Sequence, residues 1–250
     1  MSDIVAETSV IDPTFARALY YRFLARAFSY PREGTLKSLQ DDLPPLETSA
    51  VWGTESVLAA LEEVGRQLAG QTDASLESAH LAVFGHTISD KWPPHETRFG
   101  SSHPFQETQD MADVAAFYEA FGLRVKTGTG ERVDHIALEL EFGHFLAVKE
   151  LVAREKGDAE GATVTRDAAK KFFKDHVGRW GPVFGEILAQ RAPVAWTGAL
   201  GGLLAAVLRA DCGLLGVTPG VVSAEPIPLP PEPETEDLDE DDPEVTDVEG

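Results

Sequence analysis

The sequence predicts an all-α fold: a single helical-bundle domain of eight to nine helices with a disordered acidic tail. Three observations predict it. Apolar residues recur with the helical period through most of the chain, and no stretch sustains the period-two alternation of a half-buried strand. After Gly220 the composition changes to EPIPLPPEPETEDLDEDDPEVTDVEG, which has too little to bury to offset its ordering entropy. The expected organisation is a flexible N-terminus over residues 1–12, a helical domain over 13–220 and a disordered Pro/acid-rich tail over 221–250.

Asp12 and Pro13 supply a cap and an N1 proline for FARALYYRFLARAFSY, where Phe15, Leu19 and Phe23 line one face with Leu24 and Phe28 beside them. TESVLAALEEVGRQLAG places Val57, Leu58, Leu61, Val64 and Leu68 on one stripe and stops at Gly70. DASLESAHLAVFG sets Leu76, His80, Val83 and Phe84 at helical spacing. The loop HTISDKWPPHETRFGSSHPF follows, and QETQDMADVAAFYEAFG resumes the period up to Gly122. RVKTGTGER reads as a connector. VDHIALELEFGHFLAVKELVAREKG is apolar on more than one face, which predicts the central, most buried helix. RDAAKKFFKDHVGRW, PVFGEILAQ and TGALGGLLAAVLRADCG complete the set.

The chain has 250 residues, 43% of them hydrophobic, enough for a substantial core. Its net charge is −21, but residues 221–250 hold twelve acids and no Lys or Arg, leaving −9 for residues 1–220. An anionic surface repels nucleic acid and attracts basic partners. Cys212 stands alone, which excludes an intramolecular disulfide and a Cys-rich zinc site. The first residues carry no basic, apolar leader pattern, and the uncharged stretch Ala192–Leu208 falls short of a ~20-residue membrane span. A cytoplasmic protein without membrane insertion is expected.

Catalytic motifs are missing. Neither a His-Glu-x-x-His helix nor a Gly-x-Ser-x-Gly turn occurs, and KTGTGER lacks the Walker pattern. Two Glu-x-x-His pairs, Glu77/His80 and Glu141/His144, leave one alternative: a ferritin-like di-metal protein with Glu62, Glu63 or Glu119 completing the site. Otherwise the sequence names no metal or cofactor, and no enzyme. A binding surface is the better expectation. Pro93 and Pro94 fix an extended loop that carries Trp92 and Phe99. Asp134 opens the long helix, as a cap or as an exposed negative charge for a basic peptide, and His135 and Glu139 are spaced to hydrogen-bond each other.

Four segments in order resemble the TorD/DmsD/NarJ family of molybdoenzyme maturation chaperones. They are SAHLAVFGHTISDKWPPHETRFG, DMADVAAFYEAFGL, ERVDHIALELEFGHFLAVKE and KFFKDHVGRWGPVF, within a likeness that spans roughly residues 13 to 215. Val133 and Gly143 depart from the usual proline and methionine. The WPPHET loop looks most like the branch serving the type II dimethyl-sulfoxide-reductase group. The resemblance implies a TorD-like helical fold. It also implies binding of the catalytic subunit of a molybdopterin-dependent oxidoreductase, through a twin-arginine signal peptide or another segment, until the cofactor is inserted. Molybdenum-cofactor biosynthesis proteins are further implied partners, and some members form homodimers by exchanging helices. A twin-arginine leader joins basic to apolar residues. Glu96 and Asp134 are the expected partners of its arginines, with Trp92, Phe99 and Phe142 for its apolar part and Pro93, Pro94, His135 and Glu139 around them.

Overall fold

The computed structural model describes residues 11–49, 54–85, 91–100, 104–126 and 131–227. Among them the regular structure is helical: α1 (Pro13–Phe28), α2 (Thr35–Thr48), α3 (Glu55–Leu68), α4 (Asp73–Phe84), a 3-10 turn (Glu96–Phe99), α5 (Pro104–Ala120), α6 (Ile136–Glu155), α7 (Ala159–Asp175), α8 (Val177–Arg191) and α9 (Ala195–Leu215). The local chemistry explains most of the starts. The Asp12 carboxylate accepts from Thr14 N with Pro13 at N1, Thr72 and Ser75 form a reciprocal capping box, and Asp158 accepts from Gly161 N.

Helices α8 and α9 form the tightest pair, α1 lies along α6, and α3 covers α9 while α7 closes the other side of α6. Gly185 and Gly201 allow the first contact. A Cβ on either would lie 2.5 Å from the other's carbonyl oxygen, so only hydrogen fits between the two backbones. The largest fully buried side chains include Trp180, Tyr20, Tyr21, Phe23, Phe28, Phe172, Phe173 and Phe184, which form one continuous core across α1, α7 and α8.

Several expectations are corrected. The helix expected to be most buried, α6, has nine of its 20 residues buried, against eleven of 16 in α1 and thirteen of 21 in α9. α9 is also long enough to cross a membrane, because the helix continues past Leu208 through Arg209 and Asp211. However, 61% of its apolar window is buried within the protein, which accounts for its hydropathy. Phe15 and Leu58, placed on core-facing stripes, are each 47% exposed. The stretch 166–180 is not one helix: at His176 the backbone turns to φ −125°, ψ −112°, ending α7 and starting α8. Residues 1–10 and 228–250, where flexible termini are expected, lie outside the described residues. Residues 221–227 are described, and they run back across the body: Arg191 grips Glu225 at 2.7 and 2.8 Å, and Ile227 N donates to Arg98 O at 2.7 Å.

Candidate functional site

The segment PPHETRF docks against the start of α6. Ile136 N donates to Pro94 O at 2.9 Å and Glu96 N donates to Asp134 O at 3.0 Å, a short antiparallel bridge between His95 and His135. Side chains complete the joint. Asp134 Oδ2 accepts from Thr97 Oγ1 at 2.8 Å and from Thr97 N at 3.2 Å. Arg132 holds both carboxylate oxygens at 3.0 Å and reaches Thr97 Oγ1 and Glu107 Oε1 at 2.6 and 3.1 Å. Burial alone would raise the Asp134 carboxyl, but the Arg132 hydrogen bonds and charge, with help from His95 and Thr97, hold it below the usual range.

His135, not Asp134, caps α6, accepting from Ala137 N through Nδ1 at 3.2 Å. Its ring meets that of His95 edge-on, with centroids 5.2 Å apart. Burial pushes both imidazoles down, His95 to about 4 and His135 to about 3, so both are neutral at pH 7. Below them Glu96 accepts from His176 Nδ1 at 3.0 Å, and Glu139 accepts from Trp180 Nε1 at 3.1 Å. Glu139 is fully enclosed. Burial first, then the neighbouring Glu96, pushes its carboxyl well up, and that carboxyl bonds Trp180 rather than the His135 ring, although Glu139 N donates to His135 O at 3.1 Å. Phe99 stacks on Trp180 at 5.4 Å, and Phe142 sits among Tyr118 and Phe172 at 4.9 and 4.8 Å.

The sequence therefore named residues that do come together, but it misplaced their surface. Asp134, expected as an exposed charge, has no accessible area, and Pro93, Pro94, Glu96, Phe99, His135, Glu139 and Phe142 are buried too; Trp92 stays half-exposed. The stretch ERVDHIALELEF has a second face that the sequence reading missed. Glu131 and Glu141 are exposed and Leu138 and Phe145 half-buried. Glu131, Leu138 and Glu141 line two open grooves at once. One of about 390 Å³ is mostly apolar, with Leu123, Val125 and Phe145. The other, of about 680 Å³, runs towards α1 past Arg22, Arg26 and Tyr30. The missed signal is helical phase: Leu138, Glu141 and Phe145 share one stripe at steps of three and four, one position away from that of Glu139 and Phe142.

The residues of the di-metal alternative are not gathered. Glu77 pairs with Tyr30 and His144 Nδ1 with Ala18 O at 2.8 Å, and the described residues contain no cluster of three or more His, Cys, Asp or Glu able to hold a metal.

A family pattern described as nitrate reductase delta subunit, the group of NarJ/TorD-type chaperones, matches residues 52–186, more than half of the chain and all of the joint just described. The chain belongs to this family. It is thus a chaperone of molybdoenzyme maturation rather than an enzyme. Among relatives of this NarJ/TorD-type chaperone, a selenate reductase assembly chaperone protein of Thauera selenatis is 29% identical over 182 residues, covering 70% of this chain and 78% of that protein.

Proposed function

We propose that this chaperone holds the immature catalytic subunit of a molybdenum oxidoreductase by a twin-arginine leader laid across the start of α6, releasing it after cofactor insertion. The observation that carries the reading is the outward face of ERVDHIALELEF, where two exposed carboxylates border a mostly apolar groove. A cationic leader with an apolar core needs both surfaces side by side. In this reading Glu131 and Glu141 take the arginines, Leu138 and Phe145 the apolar part, and Trp92 a contact at the edge. Pro93, Pro94, Glu96, Phe99, Asp134, His135, Glu139 and Phe142 hold that surface in place from beneath. Cofactor insertion before export places the action in the cytoplasm and makes the cofactor-biosynthesis proteins the next partners. The groove forms within one chain, so a second copy is not required. Similarity to a selenate reductase chaperone supports a client of the type II dimethyl-sulfoxide-reductase group.

The test is titration of a fluorescent twin-arginine leader peptide. Because a hydrogen bond to a charged group contributes about 1.5–3 kcal/mol, Glu131→Gln with Glu141→Gln should weaken binding at least tenfold at low salt. Leu138→Ala with Phe145→Ala should weaken it at all salt concentrations. Unchanged affinity in both variants overturns the site.

A further inference from the structure

Beside the joint, where Phe117 of α5 packs on Phe172 of α7 and on His176, the surface between α5 and the α7–α8 corner opens into a cleft of about 710 Å³. Its two walls differ in charge. Asp110 and Asp113 line the α5 wall, while Lys171, Lys174 and Arg179 line the other, where they outnumber Asp175 and the buried Glu96, 4.0 Å from Arg179. In a chain of net charge −21, residues 166–179 carry five Lys and Arg against two Asp. Lys171 and Lys174 are exposed, and no carboxylate pairs with either among the described residues. Lys171 instead lies over the Phe117 ring, 5.1 Å from its centroid.

The chain passes this wall shortly before the described residues end. Gly220 lines the cleft, Val221 to Ser223 share a smaller cavity with Arg179 and Phe99, and Ile227 is bonded to Arg98 O. From there residues 228–250 follow, with eleven acids and no Lys or Arg. Fully extended, 23 residues reach about 75–80 Å, far more than the span of one cleft. A tether this short sets an effective concentration on the order of millimolar, so weak ion pairs become occupied without any partner.

We propose that the acidic segment 228–250 docks on the α7–α8 wall of this cleft, placing its carboxylates on Lys171, Lys174 and Arg179. Asp110 and Asp113 repel it from the opposite wall and so confine it to the basic side. The occupant is this chain's own tail because the chain crosses the rim of the cleft at Gly220, residues 228–250 are long enough to return to it, and their charge is opposite to the wall. The docked tail denies this basic wall to other anions, and salt weakens it because the lysines are exposed. The inference does not depend on where the client binds.

A carbodiimide, which joins a carboxylate directly to an amine, reads this contact in the full-length chain. At ~0.01 M salt, mass spectrometry should find Lys171 or Lys174 joined to an acid between Glu232 and Glu249, with the yield falling several-fold at ~1 M salt, where the screening length is ~3 Å. Lys171→Gln with Lys174→Gln should abolish those products without transferring them to other lysines. In a mixture of isotopically light and heavy chains, the products should be unmixed. Equal yields at Lys37, Lys126, Lys149 or Lys156, no tail product at all, or products only between light and heavy chains overturn the proposal, the last by assigning the wall to a second copy's tail. Should the variant fail to fold, the salt and isotope arms on the unaltered protein still decide.

Discussion

Asp134 stays charged in the interior because Arg132 grips both of its oxygens and Thr97 adds two more donors. Removing that charge leaves Arg132 and Thr97 without their shared acceptor. Asp134→Asn should therefore cost about 1–3 kcal/mol, read as a lower urea midpoint. The nearby histidines are likewise held in their deprotonated form. Their folded pKa values, about 4 for His95 and about 3 for His135, lie below the ordinary 6.5. Between those limits the unfolded chain binds protons that the folded chain does not, so stability falls as pH drops from 6.5 towards 4. Asp134, lowered from 3.8, adds stability that is lost only at still lower pH. Glu139 opposes the trend, since a raised carboxyl stabilises the folded state at low pH and gives that up as pH rises. Comparing the chain with His95→Asn, His135→Asn isolates the histidines, because asparagine can still cap α6. The urea midpoint of the double variant should vary less with pH between 6.5 and 4. An equal slope in the two proteins refutes the assignment. The residue types of this joint were legible in the sequence. Their burial was not, because ERVDHIALELEF lacks the contrast between a polar and an apolar face that would fix its phase, and the loop covering it comes from nearly forty residues earlier.

At the scale of the element, capping chemistry and stripes were legible wherever one face was polar. α1, α3 and α4 begin and end within a few residues of Pro13, Gly70 and Gly85, where the sequence places them. α2 was not read at all. Pro44 and Pro45 stand inside it and argue for an extended segment, yet Leu39 and Leu46 are buried against the core, and packing overrides the local preference. The α7–α8 boundary was missed for the opposite reason: His176 breaks the helix without any Gly or Pro at that position, and Gly178 follows where a Cβ would lie 2.1 Å from Phe173 O. Helix contact by glycine is a testable property of α8 and α9. Gly201→Ala should force the two backbones apart and cost about 1–3 kcal/mol, visible as a lower thermal midpoint. Gly202→Ala, one residue on and with open space at its Cβ, should be neutral or slightly stabilising through helix propensity.

For the whole molecule, closure depends on a polar network that sequence periodicity does not reveal. Arg17 Nε of α1 lies 2.7 Å from Asp211 Oδ1 of α9, Tyr21 donates to the same carboxylate, and Glu150 of α6 sits 3.7 Å from Arg17 and 3.7 Å from Arg166 of α7. Arg17, Asp211 and Glu150 are all buried, so one cluster of charge joins the first helix, the last, and two in between. Desolvation sets the expected outcome. A buried pair adds little net stability over apolar residues of like volume, whereas breaking it strands a charge. Asp211→Asn should thus destabilise by about 3–5 kcal/mol, with Arg17 left without its principal counter-charge. Arg17→Met with Asp211→Leu should recover much of that loss, because neither charge is then left in the core. Tyr21 would still lack its acceptor, which caps the recovery at about 1–3 kcal/mol short of complete. Urea unfolding of the three proteins, followed by helical circular dichroism, gives the comparison. If the double variant is no more stable than Asp211→Asn, the network contributes through its hydrogen bonds and packing rather than through charge balance, and the desolvation account of how the ends of the chain are joined is wrong.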